Sequence, residues 1–271
     1  SSVTNMNNIF NGCDGISSAN KCAIHTTWST NDLWTYNWLY TCGFSGQFTS
    51  EVELQIAVDM WVDDNASAME TYGHISSWDV SLVTDMRNLF QNKADFNDDI
   101  SGWDVSSVTM MQNMFKDAYA FNQNLSNWDV SNVTNMSSMF YNADSFNQDL
   151  LGWDVSNVTS MNSLFRSTEN FNGDISTWDV SNVTDMYCFT YQAESFNSDV
   201  SVWDVSSVTN MAHMFAYAHS FNGDVSSWDV SSVTSMHRMF ENNDSFNQDL
   251  SGWDLSSVTN MNNIFNGCDG I

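Results

Sequence analysis

The 271-residue chain sets six Lys and Arg against 33 Asp and Glu, a formal net charge of -27. It has no basic block to hold phosphate or anionic lipid and no 18-residue apolar run, which excludes nucleic acid and membrane insertion as expected partners. At 42% hydrophobic it is expected to fold, and its acidity suits an extracellular setting where salt or divalent cations screen self-repulsion.

No charged-then-apolar leader opens the sequence, which starts at Ser1, so a processed piece of a longer chain is expected. Residues 1–16, SSVTNMNNIFNGCDGI, are identical to residues 256–271, a spacing of 255 residues. This predicts that 1–16 ends one module, that 17–271 is the next, and that the parent chain continues in the same way.

Residues 17–49 form a Cys- and aromatic-rich insert. Within it Trp34, Tyr36, Trp38 and Tyr40 alternate with Thr35, Asn37, Leu39 and Thr41, the period of a strand with one aromatic face. Such a face either docks on a neighbouring module or binds sugar, and these four residues are the interface candidates. Residues 50–74 follow as a helical cap on the repeats. Ser50 and Glu53 are spaced as a capping box, Leu54, Ala57, Val58 and Trp61 share one face, and a second short helix ends near Gly73.

From 75 to 271 a 25-residue unit recurs eight times, marked by tryptophans from Trp78 to Trp253 at constant intervals. Proline is absent, so Gly, Asn, Asp and Ser must make the breaks. In the unit from Ile100 to Asn122, Ile100, Trp103 and Val105 read as one short strand. Val108, Met111, Met114, Phe115 and Ala118 follow at helical spacing, with Ser106 or Thr109 as the helix cap. The expected fold is therefore an α/β repeat, a leucine-rich-repeat-like solenoid with one strand and one helix per coil and a helical N-terminal cap. In the fifth unit Phe189 and Thr190 replace the usual Met and Phe and Cys188 enters, which predicts local repacking.

The pattern IxxWxVxxV resembles the LxxLxL core of leucine-rich repeats. The whole unit, FNxDISxWDVSxVTxMxxMFxxAxx, resembles the BspA-type bacterial surface repeat, the DUF285 family, over residues 75–271 and more loosely over 1–16. That family consists largely of surface or secreted repeat proteins, so the resemblance implies location and architecture more than chemistry.

Five cysteines become four distinct ones per 255-residue module: Cys22, Cys42, Cys188, and Cys13 or its copy Cys268. That even count is compatible with two disulfides of open connectivity, and the alternative is reduced core thiols, since Cys268 shares its column with Ala118, Ala143 and Ala218. Stacked coils also align carboxylates. The ladder that includes Asp104, Asp129, Asp154 and Asp179 must be relieved by hydrogen-bonded turns, by raised pKa values or by Ca²⁺, the one cofactor the sequence raises. An Asn ladder from Asn97 to Asn247 is expected to satisfy backbone groups in turns. The Trp ladder is either core or a stacking platform for glycans.

N-x-Ser/Thr sites occur at Asn65, Asn124, Asn132, Asn135, Asn157, Asn182 and Asn243, with Asn132, Asn157 and Asn182 sharing one surface column and covalent glycans as the implied partners. The five histidines fall in unrelated columns, and no nucleophile or phosphate-loop motif accompanies them, so no catalytic residue is assigned. The expected function is a non-catalytic, extracellular repeat protein that forms or decorates a filament by associating with itself head to tail. A cell-surface adhesin or glycan-binding module is the alternative.

Overall fold

The computed structural model describes residues 46–269. Two helices lead the described chain: α1 (Glu51–Asp63) and α2 (Asn65–Tyr72). The Ser50 hydroxyl accepts from the Glu53 N–H at 3.3 Å, and the Glu53 carboxylate accepts in return from the Thr49 N–H at 3.0 Å. Helix α1 buries Leu54, Ala57, Val58 and Trp61, the face its periodicity predicts. It lies on the first coil, where Gln55 Nε2 donates to the Leu89 carbonyl at 3.1 Å and Lys93 Nζ meets Asp59 at 2.8 Å. Trp61 Nε1 donates to Asp98 at 2.8 Å. Lys93 occupies the column that holds Ala in several later coils, and its ion pair with α1 accounts for the exchange.

Beyond α2 the expectation of an α/β solenoid with a strand and a helix in each coil is wrong. Among the described residues of the coils there is no strand and no α-helix, only turns, one short 3-10 segment at Ile75–Ser77 and single-residue parallel bridges such as Met110 to Asn135 and Asn135 to Ser160. Ser106 and Thr109 cap nothing. Ser106 closes a turn on Asp104, and both the N–H and the hydroxyl of Thr109 donate back to the Thr84 carbonyl.

The backbone of coil 2 (100–124) explains the error. Met114 N–H bonds to the Met111 carbonyl, Lys116 to Asn113 and Ala118 to Phe115, a chain of four-residue turns. The alternate donors leave the coil: Met111, Asn113, Phe115 and Asp117 donate to Asn135, Ser137, Met139 and Tyr141 of coil 3 (125–149) at 2.8 to 3.2 Å. Turns that advance by two and three residues bury positions 108, 111, 115 and 118, the same positions a helix would bury. The two differ at Asn113 and Asp117, which hold φ of 56° and 60°. A helix allows no such residue, whereas a turn with a left-handed third position requires one.

This arrangement repeats in coils 1 to 7 and satisfies the backbone by alternation, one N–H inward to its own turn and the next across to the following coil. The core between the turns is aromatic. Phe90, Phe115, Phe140 and Phe165 stack with centroids 5.3 to 5.6 Å apart. A second ladder, Phe96, Phe121, Phe146 and Phe171, runs beside it at 5.9 to 6.0 Å. The tryptophans are core as well. Trp128 is 2% exposed, and its indole N–H donates to the Ile100 carbonyl of the preceding coil at 3.2 Å. Trp103 and Trp153 make the same bond to Ile75 and Leu125. A buried indole needs such an acceptor, and the bond fixes each coil against the one before it.

Candidate functional site

The constant columns are accounted for by structure. Each carboxylate of the main Asp ladder accepts from the serine two residues on: Asp104 from Ser106, Asp129 from Ser131, Asp154 from Ser156 and Asp179 from Ser181, at 3.0 to 3.1 Å from the N–H. The serine hydroxyl, then its N–H, holds Asp154 below the ordinary carboxylate range, as at Asp79, Asp204 and Asp229. Among the described residues no group of three His, Cys, Asp or Glu is placed to hold a metal ion. The Asn ladder works between coils: the Asn97 side chain accepts from the Asn122 N–H at 2.8 Å, and Asn122 from Asn147 at 3.0 Å.

Cys188 and Cys268 are free thiols. Burial pushes the Cys188 thiol up to about 11, and Cys268 donates to the Phe240 carbonyl, which Thr168 does with its hydroxyl at Phe140. Cys13, Cys22 and Cys42, with Trp34, Tyr36, Trp38 and Tyr40, lie outside the described residues.

Asn65, Asn124, Asn132, Asn157 and Asn182 are exposed and Asn135 is half-buried. The Asn132, Asn157 and Asn182 amides donate to Ser106, Ser131 and Ser156 of the preceding coil at 2.7 to 2.8 Å. Asn243 is fully buried and its Oδ1 accepts from the Phe246 N–H, so it offers no attachment point in the folded chain, contrary to the sequence reading.

One place breaks the repetition. A single column carries Lys116, Tyr141, Arg166 and Tyr191 in four successive coils. Each residue closes a turn through its N–H, as Arg166 does to the Ser163 carbonyl, and each offers its carbonyl to the coil before, as Arg166 does to Asn142. The backbone is thus pinned on both sides and the four side chains fall in line. Lys116 Nζ lies 5.0 Å from the centre of the Tyr141 ring, and the Arg166 guanidinium lies 5.1 Å from Tyr141 and 4.9 Å from Tyr191. The row continues through Tyr191 to His213 at 5.8 Å and from His213 to His237 at 5.1 Å. Tyr187 also lies against His213, at 5.8 Å.

Among the described residues, two cations of the row have no carboxylate partner. Arg87, Lys93 and Arg238 pair with carboxylates, whereas no carboxylate pairs with Lys116 or Arg166 among the described residues. His213 is held below the ordinary histidine range first by burial and then by the charges of His237 and Arg238, with Arg166 adding to them against Glu241. Sequence reading missed this site because it sought constancy. The signal was the opposite, one column that varies and varies toward aromatic and basic side chains.

The family described as "Mycoplasma protein of unknown function, DUF285" matches residues 57–177 and 159–271. No curated protein and no solved structure matches the chain.

Proposed function

Because the chain belongs to the DUF285 family, a family with no function in its description, we propose from the chain's own features that it is a non-catalytic, extracellular repeat scaffold of the BspA type, whose modules associate head to tail into a surface filament. The observation that carries this reading is the identity of residues 1–16 with 256–271, which sets a 255-residue period above the 25-residue one. A stack of like coils joined by parallel bridges is directional, so its two ends are unlike. Contacts between unlike ends propagate into open fibres unless they close into a ring.

Two further features fit a scaffold. The abundant carboxylates are spent on closing turns, and the core is continuous from α1 to Phe246. Sedimentation at rising protein concentration, with negative-stain images of the same samples, tests the reading. Unbranched filaments that lengthen with concentration support it. A monomer at every concentration and salt condition overturns it.

The alternative, a glycan-binding surface module, is favoured by the row from Lys116 to His237 and is developed next.

A further inference from the structure

The row of basic and aromatic side chains sits on a molecule of net charge -27. Among the described residues Arg87, Lys93 and Arg238 pair with carboxylates, yet Lys116 and Arg166 meet only tyrosine rings. A guanidinium held between two aromatic rings retains its planar fork of donors, a geometry suited to a carboxylate, sulfate or phosphate oxygen pair. Hydrogen bonding is incomplete in the same place. Four buried nitrogens of this patch have no hydrogen-bond partner among the described residues: Arg166 Nε, His213 Nδ1, His237 Nδ1 and Arg238 Nε. Buried polar groups are normally satisfied, and a cluster of exceptions marks a place where a partner is missing.

The shape points to a polymer. The groups form a row along the stack, one residue per coil, and at ~4.8 Å per coil Lys116 and Arg166 are roughly 10 Å apart. A single small anion would meet one cation, whereas a linear chain with repeated oxyanion groups meets both. The flanks limit where it lies. Asp144, Glu169 and Glu194 make the column three residues further on acidic, and like charge from Glu169 and Asp117 adds to the burial that raises Asp144. The Arg166 charge instead acts within the row on Tyr191 and His213, and on Tyr187, which lies against His213. Distant acids matter little at physiological ionic strength, where screening acts within about 8 Å.

We propose that Lys116, Tyr141, Arg166, Tyr191, His213 and His237 form a binding site for an anionic polysaccharide, with Arg166 gripping a sulfate or carboxylate group and Lys116 a second one along the same polymer. The proposal rests on side-chain geometry in coils 2 to 7 and stands whether or not the modules join end to end.

The test is calorimetric titration of the full chain at physiological salt with dextran sulfate, polygalacturonate and neutral dextran. The site predicts binding to at least one of the two charged polymers, and which one it is separates sulfate from carboxylate recognition; neutral dextran gives no heat. The double variant Lys116→Ala/Arg166→Ala should weaken binding by roughly tenfold or more, as loss of charge-assisted hydrogen bonds does. It should keep its fold, since Ala216 already occupies this column. Arg166→Lys, which keeps charge but loses the fork, should fall between the two. His219→Ala, in the acidic column, should bind as the wild type does. No binding to either charged polymer, equal binding to neutral dextran, or equal binding by the double variant overturns the site.

Discussion

Phe189 meets Phe165 edge to face, with centroids 5.6 Å apart and planes at 86°, where the neighbouring pair Phe140 and Phe165 lies within 5° of parallel. Thr190 causes the change. It occupies the Phe column of coil 5 (175–199), and its hydroxyl donates to the Met214 carbonyl at 2.9 Å. The space its missing ring leaves is taken by Phe189 from the neighbouring Met column, which also packs edge-on against Phe196 and Trp203. The backbone keeps its bond from the Thr190 N–H to Met214, so the repacking is confined to side chains. Phe189→Ala should therefore cost about 3–5 kcal/mol, the usual loss for a buried Phe. Thr190→Phe alone should overpack the coil and cost about 1–3 kcal/mol. The double variant Phe189→Met/Thr190→Phe restores the common pair and should recover most of the stability. Strict additivity in denaturant unfolding would refute this coupling.

The left-handed positions make a second prediction. Ser138 holds φ of 57° without a side-chain hydrogen bond to help it. Ser138→Val should destabilise by about 1–2 kcal/mol, because a branched Cβ is disfavoured there, and Ser138→Gly should be neutral or stabilising. Helical backbone would reverse the order of the two variants in thermal unfolding.

Acid should unfold the chain through its Asx turns. Asp79, Asp154, Asp204 and Asp229 are held below the ordinary carboxylate range by the serine hydroxyl and N–H of their turns. A carboxylate whose folded pKa is depressed contributes stability that is fully present above its unfolded pKa and is lost as pH falls through the folded one. The melting temperature should accordingly be flat in the carboxylate contribution above about pH 5 and drop below about pH 4. Ser156→Ala removes the hydroxyl partner of Asp154 and should shrink that drop. A melting temperature that rises on acidification from pH 5 to pH 3 would contradict the assignment.

Cysteine reactivity separates the two described thiols. Cys188 is 2% exposed with its thiol pushed up to about 11, so a maleimide at neutral pH should leave it unmodified while the chain is folded. Cys268 is half-buried and should react faster. Mass mapping of labelled peptides reads both, and rapid native labelling of Cys188 would disprove its burial.

The sequence showed what is buried more readily than how the backbone gets there. Leu54 and Trp61 on α1, and Val108, Met111, Phe115 and Ala118 in coil 2, are core as their periodicity predicts. Backbone conformation was hidden because the left-handed column reads Asn88, Asn113, Ser138, Ser163, Cys188, His213, Arg238 and Asn263. The asparagines and His213 are residue types enriched at positive φ, but Ser138, Ser163, Cys188 and Arg238 between them are not, and there the hydrogen bonds to the next coil impose it. The candidate site was hidden for a related reason. Tyr141 and Arg166 mean little 25 residues apart, until stacking places the guanidinium 5.1 Å from the centre of the ring.

The most direct test of this architecture is the hydrogen bond made by the Phe115 N–H, read by NMR as a coupling from the amide nitrogen to the carbonyl carbon across the bond. The coil stack predicts a coupling to Met139, 24 residues later, through a bond of 2.8 Å. A coupling to Met111 instead, four residues earlier, would mean that each coil carries a helix and would contradict the account.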